Sequence, residues 1–275
     1  MKVAVVFCHA NGFCKNVWDP IISKLSRNLN YCNKKSTYYQ HEFMITSFDF
    51  SFHGENYNTS KTNDLWTTWG PKDVLKHVDN TIPYGYSIIS IGYSLGVSCL
   101  VLAEEMRPNT FHKLMLFEPP MTFNSDDTSS PNSLSTRTLR RKSKWSSMDE
   151  ARSYFLSKDI YRNFDKNLFD GYMKGGLRYT SHSIKEVTLC YSPEDESVNY
   201  RTLAHPKNII RCPTAIMTGQ DTNHFKNTWY EPHLKKYFPN GSIKVVPNAD
   251  HFMPLVHPNE FISYVVRFMN QDSKL

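Results

Sequence analysis

Residues 87–106 read SIISIGYSLGVSCLVLAEEM, an apolar run interrupted most sharply at Gly92-Tyr93-Ser94-Leu95-Gly96. The first half has the continuous β-rich apolar character of a strand buried on both faces, and the second half has the length of a buried helix. A strand that becomes a helix across five residues is tightly constrained. The positions two before and two after the central serine must be small for strand and helix to approach, and the serine itself sits on a strained turn. The turn also aims the helix N-terminus, with its unpaired N–H groups, at the sheet's edge. The spacing G-x-S-x-G between strand and helix makes Ser94 the expected nucleophile. The alternative is an ordinary serine at a helix start.

The same alternation continues on either side. VAVVFC (3–8), FMITSFDF (43–50), SIISIGYS (87–94) and KLMLFEP (113–119) are separated by WDPIISKLSRNL (18–29), PKDVLKHVDN (71–80) and LGVSCLVLAEEM (95–106). Repeated βαβ units predict an α/β fold with a mostly parallel, doubly wound sheet and helices on both faces. The rhythm stops after Pro119-Pro120, where residues 121–137, rich in Ser, Asp, Thr, Asn and Pro, predict a mobile loop. Helices are expected over 147–158 and 162–176, the first capped at Ser146-Ser147 with Asp149 and Glu150 in its first turn. A strand at 212–221, a helix near 226–237, a strand at 242–248 and a helix at 258–270 restore the pattern. The expected organisation is a core of residues 1–120 and 207–275, with a mainly helical cap, 121–206, over the sheet's C-terminal edge.

Length and composition narrow the function. A chain of 275 residues suits one large α/β domain with an insertion. The net charge is +6, but Lys and Arg are scattered apart from TLRRKSKW (138–145), which favours solubility and sets nucleic acid aside as a partner. Cys8, Cys14, Cys32, Cys99, Cys190 and Cys212 form no CxxC pair and no zinc spacing, so they read as reduced intracellular thiols. No metal or organic cofactor is implied. MKVAVVFCHANGF runs directly into a turn and lacks a small-residue cleavage site, so it reads as a core strand and not a signal peptide. Residues 87–103 are broken by Gly92, Ser94 and Gly96, which argues against a membrane span. The last residues, Ser273, Lys274 and Leu275, spell the address read by the peroxisomal import receptor, which makes that receptor an expected partner and the peroxisome matrix the expected location.

Partners for Ser94 follow from the chain order Ser, acid, His. His251, in VVPNADHFMPLVHP between the last strand and the closing helix, is the expected base, with His257 before Pro258 as the fallback. FCHANGF places His9, Ala10, Asn11 and Gly12 in the turn after the first strand. There the backbone N–H of Ala10 or Asn11 would join that of Leu95 in an oxyanion hole, and His9 is expected to brace the loop. Two carboxylates compete to orient His251. Asp221 follows the strand TAIMTG, with Thr222 at the place such an acid more commonly takes; Glu118 ends KLMLFE, held at the sheet's upper edge by Pro119-Pro120. Either strand end could hold the imidazole tautomer. In FDFSFHGEN (48–56), Asp49 and Gly54 read as a tight structural loop near the site.

These residues resemble the α/β-hydrolase superfamily. HANGF, FHGEN, GYSLG, LFEPP, DHFMPLVHP and the terminal Ser-Lys-Leu, with GGLRYTSHSIKEVTLCYSPEDESVNY (175–200) in the cap, resemble one branch of it: fungal peroxisomal hydrolases of the peroxisomal-lipase and AK-toxin-biosynthesis type. The resemblance implies Ser94 as nucleophile, His251 as base and a pocket beneath the cap. Members of that branch often lack an aspartate after the penultimate strand and keep the glutamate of Glu-Pro, which brings Glu118 level with Asp221. It also implies that the chain starts at the strand usually third in the family, which leaves either an uncovered sheet edge or a sequence truncated at its N-terminus. The expected activity is cleavage of a carboxylic ester or thioester of a hydrophobic acyl substrate through an acyl-enzyme. The alternatives are an epoxide-hydrolase or dehalogenase-like enzyme, which needs a carboxylate where Ser94 stands, and a non-catalytic ligand carrier of the same fold.

Overall fold

The computed structural model describes residues 1–35, 41–60, 64–121, 132–182, 184–222 and 236–270. Chain order begins with β1 (Lys2–Cys8), α1 (Asp19–Lys35), β2 (Glu42–Ser47), α2 (Trp66–Thr81), β3 (Ser87–Tyr93), α3 (Leu95–Met106) and β4 (Lys113–Phe117). The inserted stretch supplies α4 (Asn132–Leu139), β5 (Lys144–Trp145), α5 (Met148–Leu156), α6 (Asp159–Arg162), α7 (Lys166–Gly176), β6 (Leu177–Tyr179), β7 (Val187–Leu189) and α8 (Pro193–Asn199). β8 (Thr214–Gly219), β9 (Gly241–Val246), α9 (Met253–Val256) and α10 (Pro258–Asn270) complete the described elements.

Six strands form one sheet in the order β2-β1-β3-β4-β8-β9, every neighbouring pair parallel. Side-chain alternation sends successive residues to opposite faces. Val3, Val5 and Phe7 of β1, with Met115 and Phe117 of β4, join a core containing Trp18 and Phe261. Ala4, Val6 and Cys8, with Leu114 and Leu116, join the other core, which holds Val97, Leu100 and Phe238. Both faces are covered, which explains why the central strands read as unbroken apolar runs. Each large side chain fully removed from water here contributes about 1.5–3 kcal/mol.

The inserted stretch departs from expectation in three places. Residues 132–137, expected as loop, lie in α4, which packs on α8 and is tied to the residue two beyond that helix's end by Arg201 Nε donating to Ser135 Oγ at 3.0 Å. Polar composition signals a loop, but tertiary contact supplies what propensity lacks. The helix expected over 162–176 divides, because Asp165 caps α7 by accepting from the N–H of Asn167 and Leu168. A small antiparallel sheet, β5-β7-β6, was not expected, since strands of two or three residues carry no readable period. The cap of α5 follows the sequence, with Ser147 Oγ accepting from the Glu150 N–H at 3.1 Å. Residues 122–131, most of the helix expected near 226–237, and Ser273, Lys274 and Leu275 lie outside the described residues.

Cys8, Cys14, Cys99, Cys190 and Cys212 are free thiols. No described helix is long and apolar enough to cross a membrane.

Candidate active site

β3 and β4 pair in register with Tyr93 opposite Phe117, so Ser94 and Glu118 leave the sheet side by side at its C-terminal edge. The ladder carries on into both turns: the Ser94 N–H donates to Phe117 O at 2.9 Å and the Glu118 N–H to Met217 O at 2.9 Å. Both residues have left-handed backbones, with φ of 51° at Ser94 and 57° at Glu118. Neither is glycine, so each carries strain of about 1–3 kcal/mol that the surrounding packing must hold. Ser94 is half-buried and caps the N-terminus of α3. The expected steric reason for its flanking glycines is present. A Cβ on Gly92 would stand 2.7 Å from Val97 Cα, and one on Gly96 would stand 2.4 Å from the carbonyl oxygen of Cys8.

That second approach brings the start of α3, and with it the N–H of Leu95, against the end of β1. Ala10 and Asn11, two and three residues beyond that end, are both buried. Among the described residues, the N–H groups of Ala10, Asn11 and Leu95 donate to no protein acceptor. The loop carrying them is held from below by two buried imidazoles. His9 Nε2 accepts from the Phe50 N–H at 3.2 Å, and His53 Nε2 accepts from the Gly12 N–H at 3.4 Å. Burial lowers the affinity of both rings for a proton, His53 well below the ordinary histidine range, while Asp49 opposes that shift at His9. Asp49 in turn accepts from the N–H of Lys15 at 2.6 Å and of Glu55 at 3.0 Å, so residues 48–56 do form a tight structural loop beneath the site.

Glu118 is fully buried and gathers three donors. Oε1 accepts from the Gly219 N–H at 2.6 Å; Oε2 accepts from Thr222 Oγ1 at 2.8 Å and from His251 Nδ1 at 3.3 Å. Because a carboxylate accepts only, this contact places the His251 proton on Nδ1 and leaves Nε2 as the basic nitrogen. The His251 ring lies 5.3 Å from the ring of Tyr93, the residue before Ser94, and 5.3 Å from Phe252. Asp221 is not brought to His251. It is exposed, and its backbone N–H donates to Ala249 O at 2.8 Å. Thr222, which occupies the commoner position of an orienting acid, serves Glu118 instead. His257 is exposed at the start of α10.

The inserted stretch lies over this edge and supplies residues that the sequence reading passed over. Asn199 of α8 donates to Asn11 Oδ1 at 3.0 Å and to the Tyr191 hydroxyl at 2.7 Å, and the Tyr191 ring lies against His53 with centroids 3.7 Å apart, tilted by 30°. Phe13 packs against Tyr93, Phe164 and Tyr172 at 6.4, 6.1 and 5.5 Å, and Phe164 lies 6.0 Å from Phe252. A continuous chain of aromatic contacts therefore runs from the elbow into the inserted stretch. The signal in the sequence was its density of aromatics between 154 and 172, which a helical period alone does not distinguish from core.

Solved structures share this fold along nearly the whole chain. The peroxisomal α/β-hydrolase Lpx1 of Saccharomyces cerevisiae superposes with a TM-score of 0.78 at 20% identity, covering 98% of this chain and 76% of that one. The chain has the α/β-hydrolase fold. The same hydrolase fold is seen in E-2-(acetamidomethylene)succinate hydrolase, with a TM-score of 0.73 at 17% identity over 98% of this chain and 92% of that one. A marine microorganism esterase gives 0.70 at 16% identity over 98% and 95%. No family model matches the chain, and no curated protein matches it by sequence. The resemblance to the α/β-hydrolase superfamily stands on this hydrolase fold.

Proposed function

We propose that the protein is a serine hydrolase of carboxylic esters or thioesters with a hydrophobic acyl group, acting in peroxisomes. The observation that carries the reading is the contact of buried Glu118 with His251 Nδ1, beside a serine held at φ 51° on a strand-to-helix turn. In the reaction, His251 Nε2 takes the Ser94 hydroxyl proton as Oγ attacks the carbonyl carbon, and the N–H groups of Leu95 and of Ala10 or Asn11 receive the oxyanion. His251 returns the proton to the leaving alcohol or thiol. Water then repeats the sequence on the acyl-enzyme and frees the acid. Glu118 holds the tautomer and stabilises the imidazolium. The aromatic lining from Phe13 to Phe164 would take the acyl chain.

Structural neighbours named as an esterase and as hydrolases support hydrolysis in general, and the terminal Ser-Lys-Leu together with a peroxisomal neighbour supports the location. A fluorophosphonate probe followed by peptide mapping tests the chemistry. Labelling at Ser94, and a loss of at least about 10⁴-fold in kcat on medium-chain p-nitrophenyl esters in Ser94→Ala, are expected for a residue acting as nucleophile. Unchanged hydrolysis in Ser94→Ala excludes the mechanism, and absence of labelling favours a carboxylate-nucleophile enzyme or a ligand carrier.

A further inference from the structure

Arg141, between α4 and β5 of the inserted stretch, closes a cluster that the reaction above leaves unused. Its Nη1 lies 3.0 Å from Glu196 Oε1 and 2.8 Å from Oε2, so one corner of the guanidinium spans that carboxylate. Nε and Nη2 are enclosed and have no hydrogen-bond partner among the described residues. Together they make one edge of the guanidinium fork, where two parallel N–H groups match the two oxygens of a carboxylate. Charged donors kept from water without a partner are unfavourable. An edge maintained in that state is suited to a ligand that arrives with the complementary group.

Its surroundings tie this edge to the candidate site. Glu196 Oε1 is 2.6 Å from where a Cβ on Gly12 would stand, and the Glu196 carbonyl accepts from Asn11 Nδ2 at 3.3 Å. Asn11 and Gly12 belong to the turn that carries the oxyanion donors. Tyr161, Tyr172 and Tyr200 lie within electrostatic reach of the guanidinium, and Tyr200 also bonds the Asn11 side chain. Tyr172 packs on Phe13, and Phe13 on Tyr93 beside Ser94. Arg141 thus borders the aromatic lining at the junction of cap and core.

We propose that the Nε/Nη2 edge of Arg141 binds a carboxylate carried by the substrate, so that the site selects esters or thioesters that also bear a free carboxylate. The inference rests on the hydrolytic reading above and names its substrate class. A monoanion fits better than a phosphate dianion, because Glu196 already places one negative charge on the same guanidinium.

Binding tests the edge apart from catalysis. Titration calorimetry on the Ser94→Ala protein compares monomethyl suberate with its neutral counterpart, dimethyl suberate. The monoester is expected to bind about 10- to 100-fold more tightly, as for a paired, charge-assisted contact. Arg141→Gln with Glu196→Gln removes both charges while keeping the side-chain shapes, so no buried carboxylate is left unpaired; circular dichroism verifies its fold. That double variant is expected to bind the two esters equally. Equal affinities in the Ser94→Ala protein, no binding of the monoester, or a preference that survives in the double variant would overturn the proposal. If the monoester is preferred in binding but the wild-type protein hydrolyses neither ester, the carboxylate site stands and the hydrolytic reading fails.

Discussion

Glu118 reaches His251 because of its backbone as much as its charge. A left-handed residue at the end of β4 turns the side chain back across the sheet's edge, where Gly219 and Thr222 of the neighbouring strand end supply two more donors. Asp221 stands at an equivalent strand end but faces solvent. Glu118→Gln keeps the volume and removes the charge that fixes the imidazole tautomer; a fall in kcat of about 10³- to 10⁴-fold is expected, as for loss of a triad carboxylate. Asp221→Asn is expected to leave kcat within about threefold. Steady-state kinetics on a p-nitrophenyl ester read both, and the reverse ranking would return Asp221 to the role. From the sequence the two carboxylates were level, since each follows an apolar strand. Nothing local distinguishes a carboxylate turned inward by positive φ from one turned out to water.

The turn of residues 9–12 depends on the loop at 48–56, and both hold histidines that are neutral when folded. Burial, together with the neighbouring His9, depresses His53; burial also depresses His9 against the pull of Asp49, and brings His77 down to about 4. The unfolded chain takes up these protons near pH 6.5, whereas the folded chain resists them. Stability is therefore complete above about pH 6.5 and is lost as pH falls below it toward the depressed values. The urea midpoint is expected to drop between pH 7.5 and pH 5.5, and to drop less in a His53→Asn variant. A midpoint flat across that interval would contradict the neutral-histidine brace. The bracing role of His9 was foreseen from its place in the turn, but its partners were not, because Phe50 is 41 residues away in the chain.

At the scale of the whole molecule, the sorting role proposed for the terminal tripeptide is tested apart from the chemistry. The last described helix, α10, runs to Asn270, and the tripeptide lies outside the described residues. A fluorescent protein fused at the N-terminus is expected to co-localise with a peroxisomal marker, and to become diffuse when Ser273, Lys274 and Leu275 are deleted, while ester hydrolysis in extracts stays unchanged. Punctate fluorescence without the tripeptide would show that another feature directs the protein. The inserted stretch also acts on the whole. Asn199, Tyr191 and Glu196 meet Asn11, Gly12 and His53, so the inserted stretch and the turn of residues 9–12 are built against each other.

Periodicity and steric need were enough for the parallel α/β core, the Ser94 elbow and the position of His251, because each is a local pattern that little but this fold accommodates. They could not show that residues 132–137 are helical, that strands of two or three residues pair in the inserted stretch, that Glu118 and not Asp221 meets His251, or that Arg141 keeps one edge without a partner among the described residues. Those outcomes depend on contacts between residues tens of positions apart, and on side-chain directions set by packing and backbone sign, neither of which leaves a period in the chain.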